Sequence, residues 1–517
     1  MMHLIIAPIV LPAVLAPIIA WVMRHDIVLA RAFSIAGAVV MVGIAALLVG
    51  IAADGQTHPY FLGDWPAPFG IALALDRLSA AMVLLTTLLA LAVVVHAAAT
   101  GWDRRGQHFH ALFQFQVMGL CGAFLTADAF NLFVFFEVLL IASYGLMIHG
   151  GGAERLRAGL QYVVMNLVGS ALFLFALGTI YAATGTLNMA DLAQKVGAMP
   201  AGDAALLRTG AALMAIVFAL KAALVPVHFW LPATYARASA PVAALFAIMT
   251  KVGAYAILRL FTIAFPPQSA AMGGFLQSVL MPAALVTAIV GAVGVLGARQ
   301  LFAQLSFAVI GSVGVLMAGI AAFTPEAASA ALYYLLHSTL AAAVLFLLAD
   351  LVVSARGAAR DHLRPAAIAP GARPGLLAGL FLFAAIAMAG MPPLSGFLGK
   401  ILVLQALWPR PDVALSWAVL LTASLLTIVG LARAGSMLFW SRPEAVAAAP
   451  GQEAAPEDVV PVAGFAQFAG IAGLVALIVA LTVLAGPVHD YLGAAAAQLH
   501  DPAGYIDAIL SRAQEGG

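Results

Sequence analysis

The chain has 517 residues, 64% of them hydrophobic and 9% charged, with a net charge of +1 and a mean hydropathy of +1.07. That balance excludes an ordinary soluble globular domain, and so small a net charge offers no electrostatic case for a nucleic acid or an acidic partner. A chain this apolar is built for a bilayer, whose core of about 30 Å takes roughly 20 apolar residues of helix.

Runs of that length number about fourteen. They cover residues 3 to 23, 29 to 52, 78 to 99, 109 to 126, 129 to 149, 159 to 183, 207 to 227, 239 to 263, 274 to 296, 300 to 322, 328 to 352, 376 to 408, 414 to 439 and 463 to 486. All are too long, and too uniformly apolar, for the alternating strands of a membrane barrel. The expected fold is therefore an all-α polytopic membrane protein. Arg24 follows the first run and no basic residue precedes it, the reverse of a secretory signal, so this run is expected to stay as a span.

Asp76, in ALDRLSAAM, reads as a cap or an interhelical anchor before the third run, and Asp128, in TADAF, as the N-cap of the fifth. The single cysteine, Cys121, lies in an apolar run, which excludes a disulfide framework or a cysteine metal site within the chain. Glu137 interrupts NLFVFFEVLLIASYGL, while Glu154 and Arg155 read as interfacial loop charges. Lys221 lies in FALKAALVPVHFWLP, followed by Pro226 and by His228 in an aromatic cluster. Lys251 lies in FAIMTKVGAYAIL and His337 in LYYLLHSTLAAAV.

In the twelfth run, Pro392, Pro393 and Gly396 separate FAAIAMAG from FLGKILVLQAL, which carries Lys400. The run is long enough to cross with residues left over, so it reads as a broken helix whose freed backbone groups can receive ions or water. A proline kink that only eases packing is the alternative. Residues 441 to 461, rich in Ala and Pro, read as a flexible cytoplasmic linker. The tail after residue 487 reads as short interfacial helices broken at Pro502.

Basic residues concentrate in the connections after odd-numbered runs, from Arg24 and Arg31 to Arg373 and Arg442, whereas the even-numbered connections hold little beyond Lys195, Arg208 and Arg410. By the positive-inside rule the odd connections face the cytoplasm and both termini lie outside it.

Glu137, Lys221, Lys251 and Lys400 cost about 2.5 to 3.5 kcal/mol each at the centre of a span, a total comparable to the net stability of a domain. Lysines near the end of a span can snorkel to the interface, a buried glutamate can be neutral, and a lone histidine can be satisfied core. The alternative is transport: a Lys beside a Glu holds its proton while the pair is intact and releases it when the pair opens, so a line of such groups is a switchable proton relay. Nothing in the sequence resembles a phosphate loop, flavin motif or metal cluster, and no cofactor is expected.

The stretches FFEVLLIASYGL, LKAALVPVHFWLP, SAPVAALFAIMTKVGAYAILR, LLHSTLAAAVLF and GMPPLSGFLGK together resemble the antiporter-like subunits shared by Mrp-type multisubunit cation/proton antiporters and the membrane arm of respiratory complex I. The resemblance covers nearly the whole chain. It implies fourteen helices with two inverted five-helix repeats, residues 109 to 263 and 274 to 439, and broken helices seven and twelve. It further implies that Glu137 and Lys221 form the charge pair of a first half-channel, that Lys251 sits at the centre, and that His337 leads to Lys400 in the second. Asp76 and His228 are candidate accessory residues. Lys400, where one complex I subunit typically carries Glu, and the short stretch after the last run point to a D-type Mrp subunit. Such a subunit works beside others in a bacterial cell membrane, exchanging protons for sodium or another monovalent cation. A proton-pumping subunit of a redox complex and a passive scaffold are the rivals.

Overall fold

A computed structural model describes residues 2–441 and 464–514. In chain order the helices are α1 (Ala7–Trp21), α2 (Ile27–Ala52), α3 (Arg77–Thr100), α4 (Phe109–Leu125), α5 (Ala129–Ile148), α6 (Ala153–Thr184), α7 (Met189–Ala198), α8 (Ala205–Ala222), α9 (Trp230–Arg237) and α10 (Ala240–Phe246). They continue as α11 (Met249–Ile263), α12 (Phe275–Gly297), α13 (Leu301–Ile320), α14 (Pro325–Ser354), α15 (Pro374–Ala389), α16 (Ser395–Ala406), α17 (Val413–Gly435), α18 (Phe465–Val483), α19 (Ala485–His500) and α20 (Ala503–Gln514). Among the described residues eleven spans, α10 and α11 counting as one, are long and apolar enough to cross a membrane, and α1, α4, α15 and α16 are shorter apolar helices.

Local chemistry sets the helix starts. Asp26 accepts from Val28 and Leu29 N–H, Asp128 from Asn131, Asn188 from Ala190 and Asp191, and Thr324 from Ala327. Asp76 and Ser79 form a reciprocal capping box. Each such cap satisfies amide groups that have no partner within the helix.

The connections sort onto two ends. Strands β1 (His58–Phe61) and β2 (Ala72–Leu75) pair antiparallel, Leu73 bridges to Thr126, and Asp128 bridges to Asn188, so the even-numbered connections gather at one end. At the other end Arg31 forks onto Asp103 at 2.5 and 2.7 Å, His149 Nε2 donates to the Trp102 carbonyl, Arg155 donates to the Arg237 carbonyl, and Gln300 bridges to His362. Successive helices thus run up and down, with most of the basic loop residues at one end.

Several expectations need correction. Glu154 and Arg155 are not loop charges but lie in the first turn of α6, which begins before the apolar run and starts only after Gly150, Gly151 and Gly152, all at positive φ. Hydropathy marks where a helix enters hydrocarbon, whereas the backbone ladder continues into the polar zone until a stop of this kind. The eighth run is divided at Ala247 and Ile248, less than one turn before Lys251. The hairpin β1–β2 and the amphipathic helix α7 were not expected. The tail does form two helices broken at Pro502, and α19 packs Leu492, Ala495, Ala496 and Leu499 into the bundle. The expected linker at 441 to 461 lies, apart from Ser441, outside the described residues.

Helices α10 and α11 are buried on every side and α14 is buried along nearly all its length. A side chain on α11 therefore has no route to lipid headgroups, and this burial decides the fate of Lys251.

Candidate functional site

The first cluster forms on α6, where Tyr162, Asn166 and Ser170 recur every fourth residue and so share one buried face. Ser170 donates a hydrogen bond to Glu137 on α5. Lys221, the penultimate residue of α8, donates to Asn166 Oδ1 at 3.0 Å. Tyr162 and Ser143 share a hydroxyl contact at 2.7 Å. Glu137 and Lys221 thus reach the same ladder one turn apart, each bonded to α6 and not to the other.

Lys221 stands at a helix break. Helix α8 ends in Ala223, at φ +60°, and the chain passes through Val225 and Pro226 before α9. The freed backbone groups are met from outside: Val225 N–H donates to Thr287 of α12 at 3.0 Å, and Trp230 Nε1 donates to the Leu220 carbonyl at 2.9 Å. His228 lies inside the break, its Nδ1 buried and unpartnered among the described residues.

The centre follows because α11 packs directly on the end of α8. At Gly253 a Cβ would stand 2.6 Å from the Ala222 amide and 3.0 Å from the Lys221 carbonyl carbon, so only glycine allows the contact. Lys251, two residues earlier, is 0% exposed and among the described residues hydrogen-bonds only Thr250, at 3.3 Å. Tyr255 and Arg259 continue the same face. Arg259 donates to the Tyr255 hydroxyl at 3.0 Å and forks onto Asp76, both partners buried. Asp76 is therefore both cap and anchor.

A second break repeats the design of the first. Helix α15 ends in Gly390, at φ +74°, and the chain passes Pro392 and Pro393 before α16. His337, on α14, contacts the Ala387 carbonyl through Nε2 at 3.0 Å and Ser395 Oγ through Nδ1 at 2.8 Å. The carbonyl can only accept, so Nε2 carries the proton there. Lys400 donates to the Ala389 carbonyl at 2.7 Å and to Ser424 at 2.9 Å. The Ser395 amide donates to Thr482 of α18 at 2.9 Å, as Val225 does to Thr287 at the first break. Beside Lys400 lies a cavity of about 360 Å³ lined by Gly390, Phe397, Leu420 and Ser424.

The structure thus gathers Glu137 and Lys221 around α6, sets Lys251 on the helix that packs against the end of α8, and joins His337 and Lys400 to carbonyls at the end of α15. Sequence reasoning missed Tyr162, Asn166, Ser170, Thr287, Ser424 and Thr482. The four-residue spacing in QYVVMNLVGSAL was a readable signal for the first three. The others are single hydroxyl residues in apolar runs, and only the packing marks them. Asp128, outside the spans, caps α5, and burial pushes its carboxyl up to about 6. Among the described residues no group of three His, Cys, Asp or Glu is placed to hold a metal.

A helical bundle that buries a line of ionisable side chains at two broken helices defines a polytopic membrane protein of the antiporter-like class. A family profile described as NADH:quinone oxidoreductase/Mrp antiporter, transmembrane, matches residues 126–428. The chain belongs to this family. It is 38% identical to the D subunit of the probable K(+)/H(+) antiporter of Rhizobium meliloti, over 99% of this chain and 98% of that one. It is 35% identical to the D subunit of the Na(+)/H(+) antiporter of Bacillus subtilis, over 99% and 100%. A chain in the solved Mrp complex from Dietzia sp. DQ12-45-1b superposes with a TM-score of 0.86 at 27% identity, covering 99% of this chain and all of that one.

Proposed function

We propose that this chain is the proton-translocating D-type subunit of a multisubunit monovalent cation/proton antiporter in a bacterial cell membrane. The observation that carries this reading is that Lys221, Lys251, His337 and Lys400 are held inside the bundle at or beside helix breaks, with uncharged hydrogen-bond partners. Such groups exchange protons when a neighbouring charge or water arrives, whereas charges kept only to staple helices would be matched in permanent ion pairs, as Asp76 and Arg259 are. Relatives named for K(+)/H(+) and for Na(+)/H(+) exchange support a monovalent cation as the counter-ion.

The two breaks share a left-handed stop, a proline and a threonine from a neighbouring helix, which supports two structural repeats over 109 to 263 and 274 to 439. Taking α8 with α9, and α15 with α16, as single interrupted spans gives fourteen crossings. The basic end then faces the cytoplasm and both termini lie outside it. Glu137 and Lys221 act as the switchable pair of the first half-channel, Asn166 and Ser170 being the bridge between them. Lys251 receives the proton at the centre, and His337 passes it to Lys400. His228 is an accessory at the first break. The chemistry is ion transfer, and no bond is made or broken in a substrate.

The test is sodium- or potassium-dependent proton movement in vesicles carrying the assembled complex. Glu137→Ala and Lys221→Ala are each expected to slow it about tenfold or more while the complex still assembles. Full activity in both variants would refute the relay. Copurifying flavin and iron–sulfur proteins, in place of small hydrophobic subunits, would move the chain to a redox complex.

The second half-channel offers a steric test. A Cβ at Gly396 would stand 2.2 Å from the Ala387 carbonyl oxygen and 2.6 Å from His337 Nε2. Gly396→Ala is therefore expected to push His337 off that carbonyl and to lower exchange about tenfold, whereas Gly464→Ala, in open space, leaves it unchanged.

A further inference from the structure

A buried acid–base pair lies outside the line of groups described so far. His96, on α3, is 0% exposed, and Asp350, near the end of α14, is 6% exposed. His96 Nε2 stands 3.1 Å from Asp350 Oδ2, and His96 Nδ1 stands 3.1 Å from the carbonyl oxygen of Gln467, in the first turn of α18. Trp102 Nε1 donates to both Asp350 oxygens, at 2.9 and 3.0 Å.

Both neighbours of the imidazole are acceptors. A neutral ring carries one N–H, so beside a carboxylate one of its nitrogens would point a lone pair at an oxygen. Both contacts become attractive only when the ring carries two protons, or when the carboxyl itself donates to Nε2. Either arrangement holds one proton more than a neutral imidazole and a carboxylate. Two neutral side chains could tie the same helix ends without burying an ionisable pair, which costs more.

We propose that His96 and Asp350 form a proton-binding site through which protons pass between the basic end of the bundle and the buried line of groups. This rests on the transport reading above. Asp350 shares α14 with His337, thirteen positions or about 20 Å away along the axis, so the pair stands at the basic end of the helix that carries His337. Helix α18 closes the Nδ1 side: a Cβ at Gly470 would lie 2.4 Å from the Ala92 carbonyl oxygen and 3.3 Å from His96 Cβ. Exchange therefore runs through Asp350, beside the partly exposed Trp102.

The charged groups around the pair are engaged elsewhere. Arg105 stacks on the Trp102 ring at 3.8 Å, with Arg155 at 5.5 Å. Burial would raise the Asp103 carboxyl, but hydrogen bonds from Arg31 and His110 hold it down to about 2. Arg356, past the end of α14, gives its guanidinium to backbone carbonyls, and His149 bonds the Trp102 carbonyl.

The test uses the assembled complex with ¹⁵N-labelled histidine. The expected nitrogen spectrum at neutral pH contains an imidazolium, or an imidazole bonded to a carboxylic acid, that disappears in His96→Gln and persists in His337→Gln. In vesicles His96→Gln is expected to slow cation-dependent proton movement about tenfold and flatten its pH profile. Trp102→Phe keeps the pair but takes a donor from Asp350, and the pH profile of proton movement is expected to shift. A staple would leave both profiles unchanged.

Absence of the His96 signal overturns the site, and so does a wild-type rate and profile in assembled His96→Gln. If His96→Gln does not assemble, an unshifted profile in Trp102→Phe overturns it. A wild-type complex with no cation–proton exchange refutes the transport reading instead, and leaves the nitrogen spectrum to judge the site alone.

Discussion

Replacing Lys251 with Met is expected to abolish ion exchange and at the same time make the protein more stable. The lysine is fully enclosed by α11 and its neighbours and has one hydroxyl partner where an ammonium wants three acceptors. Methionine keeps its length and shape, removes a polar group whose burial costs about 2.5 to 3.5 kcal/mol, and gives up only a long hydrogen bond. Heat-induced unfolding in detergent should move upward by an amount corresponding to about 2 kcal/mol, while exchange falls about 100-fold. A residue kept for packing would show the opposite pattern, with lost stability and retained transport. That outcome would remove Lys251 from the path.

The contrasting experiment concerns Asp76. Its carboxylate takes the fork of Arg259 in the interior and caps α3 as well. Asp76→Ala leaves a buried guanidinium without its counter-charge, for which about 3 to 5 kcal/mol is the expected loss, with a further ~1 kcal/mol from the missing cap. A protein of ordinary stability hardly survives that, so the yield of folded protein should collapse. Replacing both partners, as Asp76→Asn with Arg259→Met, removes the orphaned charge, and Asn retains the cap. Recovery of folded protein and of exchange in the double variant would establish that the pair is structural. Recovery of folding without exchange would instead place Asp76 among the transport residues.

Lys251 and Asp76 look alike in the sequence, each a charge beside or within an apolar run, and the partners separate them. Asp76 meets an arginine 183 positions away, whereas Lys251 meets almost nothing. The spans were readable because hydrocarbon imposes a length on each apolar run, and the second break because two prolines cannot continue a helix. The division at Ala247 and Ile248 was not readable, since no proline or glycine marks it. Nor was the α6 start, where polar residues continue a helix beyond the hydrocarbon.

By itself the sequence determined the environment, the approximate spans, the alternation of basic ends and the identity of the costly side chains, because each follows from local composition and one-dimensional spacing. Only the tertiary structure decided which of those side chains are paired, which are bridged through Asn166 and Ser170, and which stand beside carbonyls at a helix end. It alone brought His96 and Asp350 together across 254 positions. Contacts of that kind depend on how helices cross, and helix crossing is set by small residues such as Gly253 and Gly396, whose importance lies in the neighbour that approaches them.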